Sequence, residues 1–128
     1  EGFEVTLFNS KEMTKRIFCP NIETIGETDL IIYYVNEGTY SNQTTVRLNW
    51  MVPDELNGPK FLTEVPNIFI SVANPYHLLD APRMKTFINA YTPTEEVLEA
   101  LVEKMVGRSP FKGISPVDPF CGMWDTHL

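Results

Sequence analysis

The chain holds two histidines, and its capacity for acid–base chemistry is judged from them first. His77 follows a short apolar run, Asn67 to Ala73, after the turn Asn74-Pro75-Tyr76, and Asp80 stands three residues further on. An imidazole with a carboxylate nearby is the simplest general base, the acid orienting the ring. The same residues also fit a plainer role, in which polar loop side chains satisfy the backbone groups of their own turn. His127 lies with Asp125 in the last few residues and reads as part of a surface tail. The acid pairs Asp54/Glu55 and Glu95/Glu96 are sequence neighbours. Their side chains diverge on a helix or loop, so they do not form two carboxylates facing one bond.

Other reactive groups add little. Cys19 and Cys121 are far apart and outside any CxxC pair. They could meet in the fold, but two buried free thiols are the plainer reading, which leans the compartment toward the cytoplasm. Asn42-Gln43-Thr44 fits a glycosylation tripeptide but carries no weight without a secretory context. There is no GxGxxG after a strand, no GxxxxGK[ST], no HExxH and no GxSxG. Nucleotide-binding enzymes, zincins and serine hydrolases of that type are therefore disfavoured, and no cofactor or metal is expected. The net charge of −7 disfavours a nucleic-acid partner, since such affinity rests on Lys and Arg contacts to phosphates. No apolar stretch approaches the roughly 20 residues of a membrane-spanning helix.

The elements that would position His77 are readable. Asn67 to Ala73 and Leu30 to Val35 are nearly continuous apolar runs, the pattern of internal parallel strands covered on both faces. Tyr33, Tyr34, Phe69 and Phe87 are then core aromatics, while Trp50 and Trp124 cover an interface or fill space. Thr86 to Tyr91 is a third strand, and Phe3 to Phe8 alternates as a less covered fourth. From Pro93 to Val106 the spacing predicts an amphipathic helix burying Val97, Leu98, Leu101, Val102, Met105 and Val106. Thr92 as N-cap, Pro93 at the first helical position and Glu95 closing a capping box would start it, and Gly107 would end it.

Parallel neighbours need a crossover, so a helix is expected over Asn42 to Met51, although Val46, Leu48, Trp50 and Val52 alternate like a strand. A short helix is expected from Asn9-Ser10 to Ile17, and turns at Pro53-Asp54-Glu55 and Asn57-Gly58-Pro59, with Phe61-Leu62 tucked onto the core. Arg108 to Leu128, rich in proline, reads as an irregular packed segment. The 128 residues form a single domain of α/β class, a mostly parallel sheet with helices on both faces.

Val65-Pro66-Asn67-Ile-Phe-Ile-Ser-Val-Ala-Asn74-Pro75-Tyr76, then Ile88-Asn-Ala-Tyr91, then Gly107 and Phe111-Lys-Gly113-Ile-Ser-Pro116-Val117, resembles the C-terminal domain of glycoside hydrolase family 3. The branch it most resembles is the bacterial β-N-acetylhexosaminidase group. The resemblance covers residues 60–120 well and the first strands loosely. It implies a three-layer α/β sandwich, incomplete at its N-terminus, forming the C-terminal portion of a larger two-domain protein. The start at Glu1-Gly2, without Met, fits an excised piece.

In the family a retaining enzyme keeps its nucleophilic aspartate on an N-terminal barrel, and this branch keeps its acid/base histidine on a barrel loop. No Glu of this chain aligns with the acid/base glutamate that β-glucosidases place on the second domain. The resemblance thus implies a chain inactive alone, with no catalytic residue of its own. Its partner would be the barrel, and through it a β-linked amino sugar. Asn74, Tyr76 and His77 are the residues expected to reach that sugar. A stand-alone flavodoxin-like domain binding a small ligand or a partner is the competing reading, and an enzyme using His77 and Asp80 unaided a third.

Overall fold

The computed structural model describes residues 2–7, 25, 27–38, 48 and 61–123. Among the described residues three strands, β1 (Ile31–Val35), β2 (Asn67–Ser71) and β3 (Phe87–Asn89), form one sheet in the order β1-β2-β3. All pairs are parallel, with Tyr33 opposite Phe69 and Phe69 opposite Phe87. A 3-10 helix, Pro75–Asp80, lies between β2 and β3, and an α-helix, α1 (Glu95–Met105), follows β3.

The two-residue strand period sorts the core into two halves. On one face Phe69 packs with Ala81 and Met84, flanked by Tyr33, Val35, Leu48, Leu62 and Phe87. On the other, Ile70 and Val72 pack with Leu101 of α1, flanked by Ile68, Ile88, Ala90, Leu98 and Met105. The segment joining β2 to β3 therefore covers one face and α1 the other. Covering both sides of the central strand is what a parallel sheet requires, and it explains why β2 carries almost no alternation.

Several expectations are corrected. Among the described residues β1 stands at the edge of the sheet: Ile32 and Tyr34 are about half exposed, because α1 covers β2 and β3 and does not reach them. Residues 2–7 form no strand, and Phe3, Val5 and Leu7 are exposed. Alternation alone cannot hold a strand without a partner for its ladder.

α1 begins later than its sequence suggests. Tyr91 has φ 63°, and the Thr92 N–H donates back to the Ala90 carbonyl at 2.8 Å. That tight three-residue turn leaves Pro93 outside the helix and makes Thr94 the N-cap, with no side-chain capping bond. The Thr92–Glu95 capping box is not formed. Val102 is exposed and leaves the predicted stripe. The C-terminus ends as expected at Gly107, φ 79°: its N–H donates to Lys104 O and that of Arg108 to Glu103 O, the paired bonds of a Schellman motif.

Leu48, the one described residue of Asn42–Met51, is in neither helix nor strand. Its N–H donates to Asp80 Oδ2 at 2.9 Å and so is not given to a helical carbonyl. Cys121 is an exposed free thiol and not a buried one. The helix expected from Asn9-Ser10 to Ile17, the turns at 53–59, and Cys19, Trp50, Trp124, Asp125 and His127 lie outside the described residues. Among the described residues no helix is long and apolar enough to cross a membrane.

Candidate functional site at the strand ends

Parallel pairing brings the carboxyl ends of β2 and β3 to the same edge of the sheet, the position where open α/β sheets bind ligands. Ser71, the last residue of β2, lies on the Phe69 side and is fully buried. The Asn74-Pro75 step stops the ladder, and the 3-10 helix turns the chain back over Ser71. Asn74 caps that helix: its Oδ1 accepts from the Tyr76 N–H at 2.8 Å. Asn74 and His77 are buried, while Tyr76 is 45% exposed. The three predicted residues thus share one turn but not one environment.

His77 Nδ1 lies 2.8 Å from Ser71 Oγ. Ser71 Oγ is also 2.5 Å from the Asn74 carbonyl, which can only accept. A hydroxyl has one proton to give. Ser71 therefore donates to Asn74 O and accepts from His77, which puts a proton on Nδ1 and, in the neutral ring, leaves Nε2 a bare acceptor. Nε2 is buried with no hydrogen-bond partner among the described residues, as are Asn74 Nδ2 and Asn89 Oδ1. Burial pushes the His77 pKa below its ordinary 6.5, although the Asp80 and Glu37 carboxylates pull the other way.

Asp80 makes no general-base pair with His77. The ring bonds Ser71 through Nδ1, and Asp80 receives the Leu48 N–H. A buried Ser71 hydroxyl also cannot meet a substrate, so the Ser71–His77 contact is no nucleophile–base pair.

The end of β3 adds a second aromatic. Tyr91 is 43% exposed, and its hydroxyl lies 3.3 Å from Ser115 Oγ. Ser115 gives its own proton to Val117 O at 2.7 Å, so Tyr91 is the donor, tying the tail to the sheet end. The sequence reading missed Ser71 and Ser115 as partners. The one available signal was a polar residue closing an otherwise apolar strand. Among the described residues no three His, Cys, Asp or Glu side chains gather closely enough to hold a metal.

Comparison with known proteins places this architecture. No family model matches the chain. It is 44% identical over 127 residues to a Cellulomonas fimi protein named beta-N-acetylglucosaminidase/beta-glucosidase, covering 99% of this chain and 22% of that protein. Among solved structures it is similar to beta-glucoside phosphorylase BglX, with TM-score 0.71 and 49% identity, covering 87% of this chain and 20% of that one. The same phosphorylase bound to 2FGlc matches equally, over 85% of this chain. The chain spans about a fifth of the length of these relatives. With the Asn-Pro-Tyr turn, the parallel sheet and these likenesses together, the resemblance of this chain to part of the C-terminal α/β domain of glycoside hydrolase family 3 is borne out.

Proposed function

We propose that this chain is the non-catalytic α/β portion of a retaining family 3 enzyme acting on β-linked sugars, N-acetylhexosaminides in the first place. The observation that carries this is the mismatch of coverage: nearly all of this chain aligns, yet four fifths of the relative lies outside it. Retaining chemistry needs two groups held on either side of one glycosidic bond. The described residues offer no such pair, since His77 is buried against Ser71 and Asp80 is engaged by Leu48. The chain's part is to pack on the catalytic barrel and present toward the sugar the strand-end turn that Asn74 caps and His77 underlies. Tyr76 is the exposed side chain of that turn's three predicted residues.

The test compares this chain alone with the longest polypeptide its reading frame encodes, on an aryl N-acetyl-β-glucosaminide and an aryl β-glucoside. Turnover by the long form only is expected. Turnover by the isolated chain that His77→Ala abolishes would overturn the reading.

The acceptor deserves a second reading, because both similar solved structures are named phosphorylases. In that case inorganic phosphate, not water, would take the sugar from the enzyme and release a sugar 1-phosphate. Product analysis in phosphate buffer separates the two: free sugar supports hydrolysis, and sugar 1-phosphate supports phosphorolysis.

A further inference from the structure

Of the three strand-end residues, only Tyr76 can touch anything outside the fold, which leaves the buried His77 to be explained. Three hydrogen bonds tie it into its turn. Ser71 spends its single hydrogen on Asn74 O, and Asn74 in turn holds the Tyr76 N–H through its own Oδ1. His77 closes the circuit by donating to the Ser71 oxygen. A run of bonds therefore links the ring to the backbone of Tyr76 through Ser71 and Asn74. We infer that His77 is a positioning residue, a neutral imidazole fixed as the Nδ1–H tautomer, which sets where Tyr76 stands at the strand ends and keeps Nε2 as a buried acceptor.

The charged groups reaching the ring agree with a neutral state. Asp80 on its own turn and Glu37 beyond β1 both favour the imidazolium, and burial outweighs them. That Tyr76 then meets a sugar rests on the function proposed above. The state of the ring does not, so the two can fail separately.

The experiment is a long-range proton–nitrogen correlation spectrum of the 128-residue chain labelled with nitrogen-15 at histidine, from pH 7.5 down to pH 6. With two histidines in the sequence the assignment is short, and His127→Gln completes it. His77 is expected to show a protonated Nδ1 and a bare Nε2 throughout, and Ser71→Ala to lower the Nδ1–H population. Ser71→Thr, which keeps a hydroxyl, should restore it. An Nε2–H ring, or a ring that titrates near 6.5, would overturn the inference.

A second arm uses replacement chemistry in the long polypeptide. Asparagine puts an N–H near the Nδ1 position, and glutamine puts one near Nε2. KM should therefore rise more in His77→Gln than in His77→Asn, and the loss should fall more on KM than on kcat. The reverse order would count against the tautomer.

Discussion

Phe69 and Phe87, direct partners across β2 and β3, stack with ring centroids 4.9 Å apart and planes 14° from parallel. Phe69 is fully buried and Phe87 partly so, which makes the pair the clasp between the central strand and its short neighbour. Phe69→Ala should cost about 3–5 kcal/mol, the range for deleting a buried aromatic, and Phe87→Ala distinctly less. Urea unfolding of both variants measures this; equal losses would mean that the shared stacking, not burial, carries the energy.

Stability should fall on the acid side of neutrality through His77. Its folded pKa is below the ordinary 6.5, so the unfolded chain takes up the proton first as pH falls. The contribution is therefore complete above about 6.5 and drains as pH drops from there toward the folded value. Melting temperature against pH, for wild type and His77→Asn, tests it. The variant should show a flatter curve over that window.

At high pH the responsible group is Tyr33. Burial first, and the Glu64 charge second, push its phenol up to about 12 from an ordinary 10. A raised folded pKa means the stabilisation is full below about 10 and is lost as pH climbs from there to about 12. Phenolate absorbance should show one tyrosine titrating late, and Tyr33→Phe should remove that step.

Gly107→Ala should destabilise by about 1 kcal/mol, the steric cost of a side chain in the left-handed region. A Cβ built there meets nothing within 4 Å, so backbone conformation alone sets the effect. Gly113→Ala, also open and without positive φ, is the control and should change stability little. Thermal melts of the two variants make the comparison.

Loss of the Asp80 carboxylate should cost about 1.5–3 kcal/mol, since a half-buried N–H would lose a charged acceptor. Asp80→Asn, which keeps an acceptor oxygen, should recover part of it in the same denaturation assay.

What the chain's order of residues determined by itself is considerable. Ile31 to Val35 and Asn67 to Ser71 declare themselves as strands because their apolar runs suit a covered sheet, and they pair in parallel as expected. Helix α1 announces itself through Leu98, Leu101 and Met105 at helical spacing, and Gly107 marks its end because few other residues accept that backbone. The family resemblance also lay within the Asn74-Pro75-Tyr76 turn and its spacing to the later motifs.

Tertiary structure decided the rest. Edge or centre is a matter of neighbours, so Ile32 and Tyr34 look like core in sequence and are half exposed in the fold. The start of α1 moved because the Ala90–Thr92 turn, a single hydrogen bond, competed with the capping signal. His77 and Asp80 looked like a base and its carboxylate because they are close along the chain. The fold instead gave the ring to Ser71 and the acid to Leu48, partners six and 32 residues away. Periodicity records which way a side chain faces, whereas hydrogen-bond partners across the fold depend on distances that only the packed chain creates.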